Sequence, residues 1–126
     1  MKNILLFIDD NLIIRLYITN FLRSLGYEVI SCTSGIKALE EFNKKAFDLV
    51  LTDLDLPTMT GTQVINAIRK INPDIPIIVL SSIQSGIEKI EKDIQGYFDK
   101  DFNEEELHQK IQEEIEKYKN KKNKVH

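Results

Sequence analysis

The stretch DLVLTDLDLPTMTG, residues 48–61, decides the fold of this chain more than any other segment. Its run Leu49–Thr52 leads directly into Asp53, and Pro57 and Gly61 follow. A short, nearly uniform apolar run is typical of a strand that is covered on both faces, as in parallel sheets. In such sheets the ligand site lies beyond the carboxyl ends of the strands. The segment therefore predicts a central parallel strand with Asp53 at a functional edge.

Working outward, four more apolar runs alternate with longer amphipathic stretches, which predicts a βα repeat with helices covering a mostly parallel sheet. The first, third and fourth runs are the most uniformly apolar and should be central, whereas the fifth is weak and should be an edge. The predicted strands are Asn3 to Ile8, Glu28 to Cys32, Leu49 to Thr52, Ile77 to Leu80, and Tyr97 to Phe98.

Five helices are predicted from apolar residues that recur every three or four positions. Gly26 should end the first helix as a left-handed cap, Ser34 should open the second, and Asn103 with Glu106 should open the fifth in the manner of a capping box. The apolar stripes are Ile14, Tyr17, Ile18, Phe21, Leu22 and Leu25; Ala38, Leu39 and Phe42; Val64, Ile65, Ile68 and Ile71; Ile83, Ile87, Ile90 and Ile94; and Leu107, Ile111, Ile115 and Tyr118.

Length and charge limit the classes of protein to consider. With 126 residues the chain has the usual size of one domain. Its 17 Lys and Arg against 20 Asp and Glu give a formal net charge of −3, which offers no electrostatic footprint for nucleic acid or an anionic membrane. We therefore expect one compact domain that binds neither.

The single cysteine and the N-terminus indicate a cellular setting. Cys32 has no partner for an internal disulfide and lies in a predicted strand, so a buried, inert thiol is expected. Only Ile4 to Ile8 are consecutively apolar before two aspartates, which is too short for a signal peptide or a transmembrane helix. A reducing, cytoplasmic location is the interpretation that fits.

Carboxylates follow two of the predicted strands. Asp9 and Asp10 end the first strand and Asp53 ends the third, its neighbour in a flavodoxin-like sheet. Carboxylates close together repel one another and remain ionised only with a cation among them, and Mg²⁺ prefers such oxygen ligands. Taken alone, the Asp9-Asp10 pair reads more simply as a turn and a helix cap. Its coincidence with Asp53 favours a metal site.

Two further strand ends add groups that suit phosphate. Lys100 follows the fifth strand and offers an ammonium that can pair with Asp53 or with anionic oxygens bound to it. Ser81 and Ser82 end the fourth strand and offer hydroxyl donors at the same edge. Without the aspartates, these would be ordinary surface and loop residues. Together they predict a site for a divalent cation and a phosphoryl group.

In sequence the chain resembles a response-regulator receiver domain over essentially its whole length. The pieces that carry the resemblance are ILLFIDD, DLVLTDLDLPTMTG, PIIVLSS and GYFDK, in that order and at the family's separations. The resemblance implies an α/β, flavodoxin-like (βα)5 fold: a five-stranded parallel sheet of order 2-1-3-4-5, with two helices on one face and three on the other. We expect the receiver domain to span residues 1–118. The tail at 119–126 has almost no apolar content and should fray.

The resemblance further implies a role for each site residue. Asp53 corresponds to the phosphoacceptor, which takes a phosphoryl group from a histidine kinase or phosphotransfer protein. Asp10 would bind Mg²⁺ directly, Asp9 would help through water, and the backbone carbonyl of Asp55 would complete the protein ligands together with Asp53. Lys100 would stabilise charge during transfer.

A surface switch is implied as well. Ser81 matches the hydroxyl that moves to the acyl phosphate, and Tyr97 matches the aromatic that turns inward; a packed edge aromatic is the plainer role for Tyr97. The chain would then be a stand-alone phosphorylation-dependent regulator rather than a turnover enzyme. It would bind a downstream protein target as a monomer or a weak phosphorylation-linked dimer.

Departures from the family pattern occur around Lys100 and Asp53. Asp101 follows Lys100 where the family usually has a proline in a cis peptide, and Asp99 and Asp101 are expected to compete for the ammonium. Asp55 is expected to point outward. The short interval between Ser81 and Lys100 predicts a truncated fourth helix.

Two alternatives stay open at this point. One is a receiver-like interaction module that is not phosphorylated, which the replaced proline favours. The other, more remote, is a haloacid-dehalogenase-type phosphohydrolase, because Asp53-Leu54-Asp55 resembles the aspartate-x-aspartate motif of that class. In that class the motif normally ends the first strand, whereas here it ends the predicted third.

Overall fold

Five parallel strands form the central sheet of the protein, whose computed structural model describes residues 2–82 and 86–124. The strands are β1 (Ile4–Ile8), β2 (Glu28–Cys32), β3 (Leu49–Thr52), β4 (Ile77–Leu80) and β5 (Gly96–Phe98). Each begins and ends within one residue of its prediction. The order β2-β1-β3-β4-β5 confirms the flavodoxin-like topology.

Helices connect the strands and lie on both faces of the sheet. They are α1 (Leu12–Ser24), α2 (Gly35–Phe42), α3 (Gly61–Ile71), α4 (Ile87–Ile90) and α5 (Glu104–Lys124). A single 3₁₀ turn, Glu91–Asp93, follows α4. Because α4 has four residues, the expectation of a truncated fourth helix is confirmed.

Polar side chains open α1, α2 and α3 after the strand-end loops. Asn11 Oδ1 accepts from the Ile14 amide at 3.0 Å, and Ser34 Oγ accepts from the Lys37 amide at 3.2 Å, so both occupy N-cap positions. Thr60 and Gln63 form a complete capping box at α3, which the sequence analysis did not single out. At the other end of α1, Gly26 has φ of 99°, as predicted for a left-handed cap.

The core divides into two layers, one on each face of the sheet. One layer holds apolar residues of α1 and α5, such as Ile18, Leu22 and Ile111, and the other holds those of α2, α3 and α4, such as Ile65 and Ile90. All of these are at most 1% exposed. The arrangement of two helices on one face and three on the other is therefore confirmed.

Three details differ from the pattern or lie beyond it. Tyr17 and Ile71, both placed on apolar stripes, are 50% and 53% exposed because each lies at the rim of its helix's buried face. Tyr17 stacks on Phe102 at a centroid distance of 6.4 Å instead of entering the core. Ile83, assigned to the stripe of the fourth helix, lies outside the described residues.

The polar tail is helical as far as Lys124, where α5 ends. The fraying expected from Lys119 stays a prediction. Side-chain contacts accompany the extra turns: Lys119 donates to Asn3, Lys121 pairs with Asp74 at 2.7 Å, and the Lys122 ammonium lies 4.9 Å from the Tyr118 ring centroid. Lysines at a helix C-terminus also interact favourably with the helix dipole. The boundary at residue 118 remains a prediction.

Two findings bear on the setting of the chain. Cys32 is buried and free, and burial raises the pKa of its thiol to about 11, so it is protonated and unreactive at neutral pH. Within the described residues, no helix combines the length and apolar character needed to cross a membrane.

Candidate functional site at the carboxyl edge of the sheet

Pairing of the central strands brings Asp9 and Asp53 side by side. Ile8 at the end of β1 lies opposite Thr52 at the end of β3, and the Asp53 amide donates to the Ile8 carbonyl at 3.0 Å. Asp9 is fully buried and Asp53 is 5% exposed. Two buried carboxylates at adjacent strand ends require compensating positive charge.

The Asp53 side chain is held by the loop that follows it. Its Oδ1 accepts from the amides of Leu54 at 2.7 Å and Asp55 at 3.2 Å. Gly61, the first residue of α3, packs so closely that a Cβ there would lie 2.2 Å from the Asp53 carbonyl oxygen. The glycine of the motif is therefore needed for the backbone to return beside Asp53.

Asp9 and Asp10 complete an acidic cluster. Asp9 Oδ1 accepts from the Asn11 amide at 2.9 Å, while Asp10 is exposed at the mouth of the site. One carboxylate oxygen of each of Asp9, Asp10 and Asp53 lies within 4.8 Å of the others. This all-oxygen donor set, open to solvent on one side, fits Mg²⁺, which keeps several of its waters.

Lys100 lies between the two buried carboxylates. Its Nζ is 2.7 Å from Asp9 Oδ2 and 2.7 Å from Asp53 Oδ2. Burial lowers the pKa of Lys100, but hydrogen bonds and charge attraction from Asp53 and Asp9 outweigh burial and raise the pKa above its ordinary value. The ammonium therefore stays charged and offsets part of the acidic cluster.

The loop that carries Lys100 lacks the family proline and has no cis peptide bond at Lys100-Asp101. Lys100 nevertheless reaches Asp53. Asp99 and Asp101 were expected to compete for the Lys100 ammonium, but both are exposed. Lys100 forms its salt bridges with Asp9 and Asp53 instead. Buried anions offer an ammonium a stronger field than solvated ones.

Ser81 and Tyr97 meet at the end of β4. Ser81 is fully buried, and its amide donates to the Phe98 carbonyl at 3.0 Å. The Tyr97 hydroxyl donates to the Ser81 backbone carbonyl at 2.9 Å. Burial, with the charges of Asp99 and Asp53, raises the pKa of Tyr97. Ser82, by contrast, is exposed.

Two residues beside the cluster complete the description. Asp55 is exposed, which agrees with the expectation that its side chain points outward. The role of its backbone carbonyl as a metal ligand stays a prediction. Arg15, which the sequence analysis did not consider, donates from Nη1 to the Asp9 carbonyl at 3.1 Å. The available signal was a cation near the start of a helix, where the helix dipole disfavours it.

Known proteins share this sequence pattern. A family model for the response regulator receiver domain matches residues 5–112. The probable transcriptional regulator ycf27 of Cyanidium caldarium is 35% identical over 86% of this chain and 44% of its own length. The transcriptional regulatory protein ZraR of Klebsiella oxytoca is 29% identical over 88% of this chain. The chain spans only 26% of the ZraR length, so it matches one part of that protein.

Solved structures share the fold over nearly the whole chain. A response regulator receiver domain protein from Clostridium thermocellum has a TM-score of 0.85 at 26% identity, covering 93% of this chain and 97% of its own. The receiver domain of sensor histidine kinase PA1611 from Pseudomonas aeruginosa PAO1 has a TM-score of 0.84 at 28% identity, covering 91% and 98%. That structure is described with a magnesium ion coordinated in its active site cleft. Sequence, topology and acidic cluster agree, and the chain belongs to the response regulator receiver domain family of two-component signalling.

Proposed function

We propose that the protein is a signalling switch in which Asp53 accepts a phosphoryl group from a phosphohistidine of a partner histidine kinase or phosphotransfer protein. The observation that carries this proposal is the convergence of Lys100 on Asp9 and Asp53, at 2.7 Å from each, inside the acidic cluster that also includes Asp10. Family membership gives the class of protein, and this convergence supports the chemistry at Asp53.

The donor set supports Mg²⁺ as the cofactor. Asp10 and Asp53 would hold it directly, Asp9 through water, and the Asp55 backbone carbonyl would complete the protein ligands. When bound, Mg²⁺ supplies positive charge to the phosphoryl oxygens. The magnesium described in the Pseudomonas aeruginosa receiver supports the same assignment by similarity.

The transfer step uses few protein groups. One Asp53 oxygen attacks phosphorus in line with the departing imidazole nitrogen, so an O–P bond forms, the N–P bond breaks and the imidazole retains the bonding electrons. Phosphoryl transfer of this kind depends mainly on positioning and electrostatics. Lys100 already contacts Asp53 Oδ2 and would follow the new phosphoryl oxygens as a point charge.

Readout would pass through Ser81 and Tyr97. The Ser81 hydroxyl would move to bond the new dianion, and Tyr97 would respond because its hydroxyl is bonded to the Ser81 carbonyl at 2.9 Å. Ser81 follows β4 and Tyr97 lies in β5, the two strands that α4 connects, and α4 is short in this chain. The modified surface would bind a downstream protein target, as a monomer or a weak phosphorylation-linked dimer in the cytoplasm. A regulator of this kind is not a turnover enzyme.

Intact-mass measurement tests the proposal. The protein is incubated with MgCl₂ and acetyl phosphate, and the wild type is expected to gain the mass of one phosphoryl group. Asp53→Asn should gain none because its amide is not a nucleophile. Asp55→Asn is the matched control: it removes an exposed acid two residues away and should still be modified.

Two results would contradict the phosphoacceptor role. One is an unmodified wild type in the presence of Mg²⁺, and the other is an equal mass gain in Asp53→Asn. The first result would favour the unphosphorylated interaction module, and the second would mean that a residue other than Asp53 accepts the phosphoryl group. Sustained release of phosphate from a monoester substrate would instead favour the hydrolase alternative. The match to the receiver-domain family argues against that alternative.

A further inference from the structure

Arg15 is a cation in an unfavourable place. It is the fourth residue of α1, whose first turn contains no acidic residue. The N-terminus of a helix carries partial positive charge, so a cation there is disfavoured unless another interaction offsets it. The half-buried Arg15 side chain turns back toward the end of β1, where it bonds the Asp9 carbonyl.

Arg15 makes one of the four hydrogen bonds that hold Asp9 in place. The Asp9 amide donates to the Cys32 carbonyl at 3.1 Å, its Oδ1 accepts from Asn11 and its Oδ2 from Lys100. Its backbone carbonyl accepts from Arg15 Nη1 at 3.1 Å. Every polar group of this fully buried residue therefore has a recorded partner.

The carbonyl that Arg15 holds belongs to the peptide between Asp9 and Asp10. The orientation of this peptide plane sets the direction in which the next residue leaves the strand. Asp10 is exposed, so side-chain packing does little to hold it, in contrast to Asp9. The placement of the Asp10 carboxylate therefore depends on the backbone that precedes it.

We propose that Arg15 is a positioning residue that fixes the Asp9-Asp10 peptide and thereby directs the Asp10 carboxylate to the divalent cation. This inference rests on the magnesium site of the proposed function. Groups that orient metal ligands without touching the metal typically change metal affinity by about 10- to 100-fold when removed.

The same helix offers a matched control. Arg23 of α1 donates from Nη2 to the Val29 carbonyl at 3.0 Å, again across six residues. Val29 lies near the start of β2, at the other end of the sheet from Asp9 and Asp10. Removing either arginine deletes one arginine-to-carbonyl bond, but only Arg15 borders the acidic cluster.

Calorimetric titration with MgCl₂, without any phosphodonor, measures the affinity of the wild type, Arg15→Met, Arg15→Lys and Arg23→Met. Arg15→Met is expected to bind Mg²⁺ about tenfold more weakly. Arg15→Lys should recover most of the affinity because it keeps a donor on a long stem. Arg23→Met should stay within about twofold of the wild type, because its contact is distant from the ligands.

Two further readouts separate positioning from a general loss of stability. In the metal-free protein, the amide NMR signals of Asp10 and Asn11 should shift in Arg15→Met and stay in place in Arg23→Met. In the phosphorylation assay, Arg15→Met should need more Mg²⁺ for half-maximal rate, with a nearly unchanged rate at saturation. Should Arg15→Met fail to fold, Arg15→Gln, whose shorter side chain does not reach the carbonyl, is expected to show the same loss.

The proposal is overturned if the wild type binds no Mg²⁺, if Arg15→Met keeps wild-type affinity, or if both arginine variants weaken binding equally. Its failure is distinguishable from failure of the proposed function. A wild type that binds Mg²⁺ but gains no phosphoryl mass refutes the phosphoacceptor role and leaves the affinity test intact. Normal phosphorylation with unchanged affinity in Arg15→Met refutes the positioning role alone.

Discussion

Two loops deliver opposite charges to the site, and they do so by different means. The β3–α3 loop, residues 53–60, carries Asp53 and is fixed by its backbone, because the Asp53 amide bonds Ile8 and the Gly61 amide donates to the Leu54 carbonyl at 2.9 Å. The β5–α5 loop, residues 99–103, carries Lys100. The Lys100 side chain is held in the site by two salt bridges, to Asp9 and Asp53 in other loops.

The difference explains why Lys100 still reaches the site although its loop lacks the family proline. The β3–α3 loop retains its proline and glycine, and a Cβ at Gly61 would collide with backbone. The β5–α5 loop has lost its proline and still places Lys100 at 2.7 Å from Asp53. A flexible side chain drawn by two buried anions tolerates a change of backbone, whereas a carboxylate bonded to its own loop does not.

Removing the charge from the β5–α5 loop gives the largest expected effect. Lys100→Met leaves Asp9 and Asp53 buried without their common partner, which should lower the free energy of unfolding by about 3 kcal/mol at pH 7. Urea denaturation without added metal measures the effect. Lys70→Met, at an exposed lysine of α3, should change the free energy of unfolding by less than about 0.5 kcal/mol. Equal losses in the two variants would show that the salt bridges of Lys100 are not the cause.

A pH series sharpens the same comparison. Because the pKa of Lys100 is raised in the folded protein, its contribution to stability is complete below the unfolded-state pKa of about 10.4 and is lost as pH rises through the higher folded value. The stability difference between wild type and Lys100→Met should therefore be constant from neutral pH to about 9 and shrink above about 10.4. A difference that grows with pH in this range would contradict the assignment.

Disturbing the backbone of the β3–α3 loop should have the next largest effect. Gly61→Ala places a Cβ 2.2 Å from the Asp53 carbonyl oxygen and 2.5 Å from the Leu54 Cα, so the loop must move. Overpacking of this kind typically destabilises by about 2 kcal/mol. Thermal or urea unfolding checks the value, and phosphorylation of the variant should also slow because Asp53 is displaced.

Gly96→Ala is the control for this substitution. Its Cβ would meet the flexible end of Lys110 at 3.1 Å, which can move aside, so a smaller loss is expected. Equal destabilisation by the two substitutions would show that close backbone approach at Gly61 is not the cause.

The smallest effect is expected at Thr58 in the same loop. Thr58 has φ of 61°, a conformation that β-branched residues rarely adopt and that asparagine tolerates. Thr58→Asn should raise the free energy of unfolding by about 1 kcal/mol. Thr33→Asn, at an exposed threonine without positive φ, should give no such gain, and a matching gain there would rule out relief of strain.

Much of the fold was predictable because it depends on short-range patterns. Strand positions followed from apolar runs such as Leu49–Thr52, and the start of α2 followed from Ser34. The length of α5 was not predictable in this way. The segment after Tyr118 is polar, and its added turns are accompanied by contacts with Asn3 and Asp74, which are distant in sequence.

The sequence predicted which residues form the candidate site better than it predicted the contacts between them. Asp9, Asp10, Asp53 and Lys100 follow strands, so their approach could be expected from topology. The sequence does not show which carboxylates Lys100 pairs with. It pairs with the distant Asp9 and Asp53, and this pairing depends on which carboxylates are buried. The neighbouring Asp99 and Asp101 are exposed. The contact of Arg15 with the Asp9 carbonyl escaped notice for a similar reason, since a helix pattern does not show where a long side chain turns.

The sequence by itself determined the order of strands and helices along the chain, most of the faces they bury and the candidate site residues at the strand ends. These features depend on periodicity and on capping within a few residues. Only the tertiary structure decided that Lys100 pairs with Asp9 across 91 positions, that Tyr97 bonds Ser81 and that Tyr17 remains exposed. Such contacts arise when the sheet closes and sets the distances and burial on which electrostatic and packing energies depend.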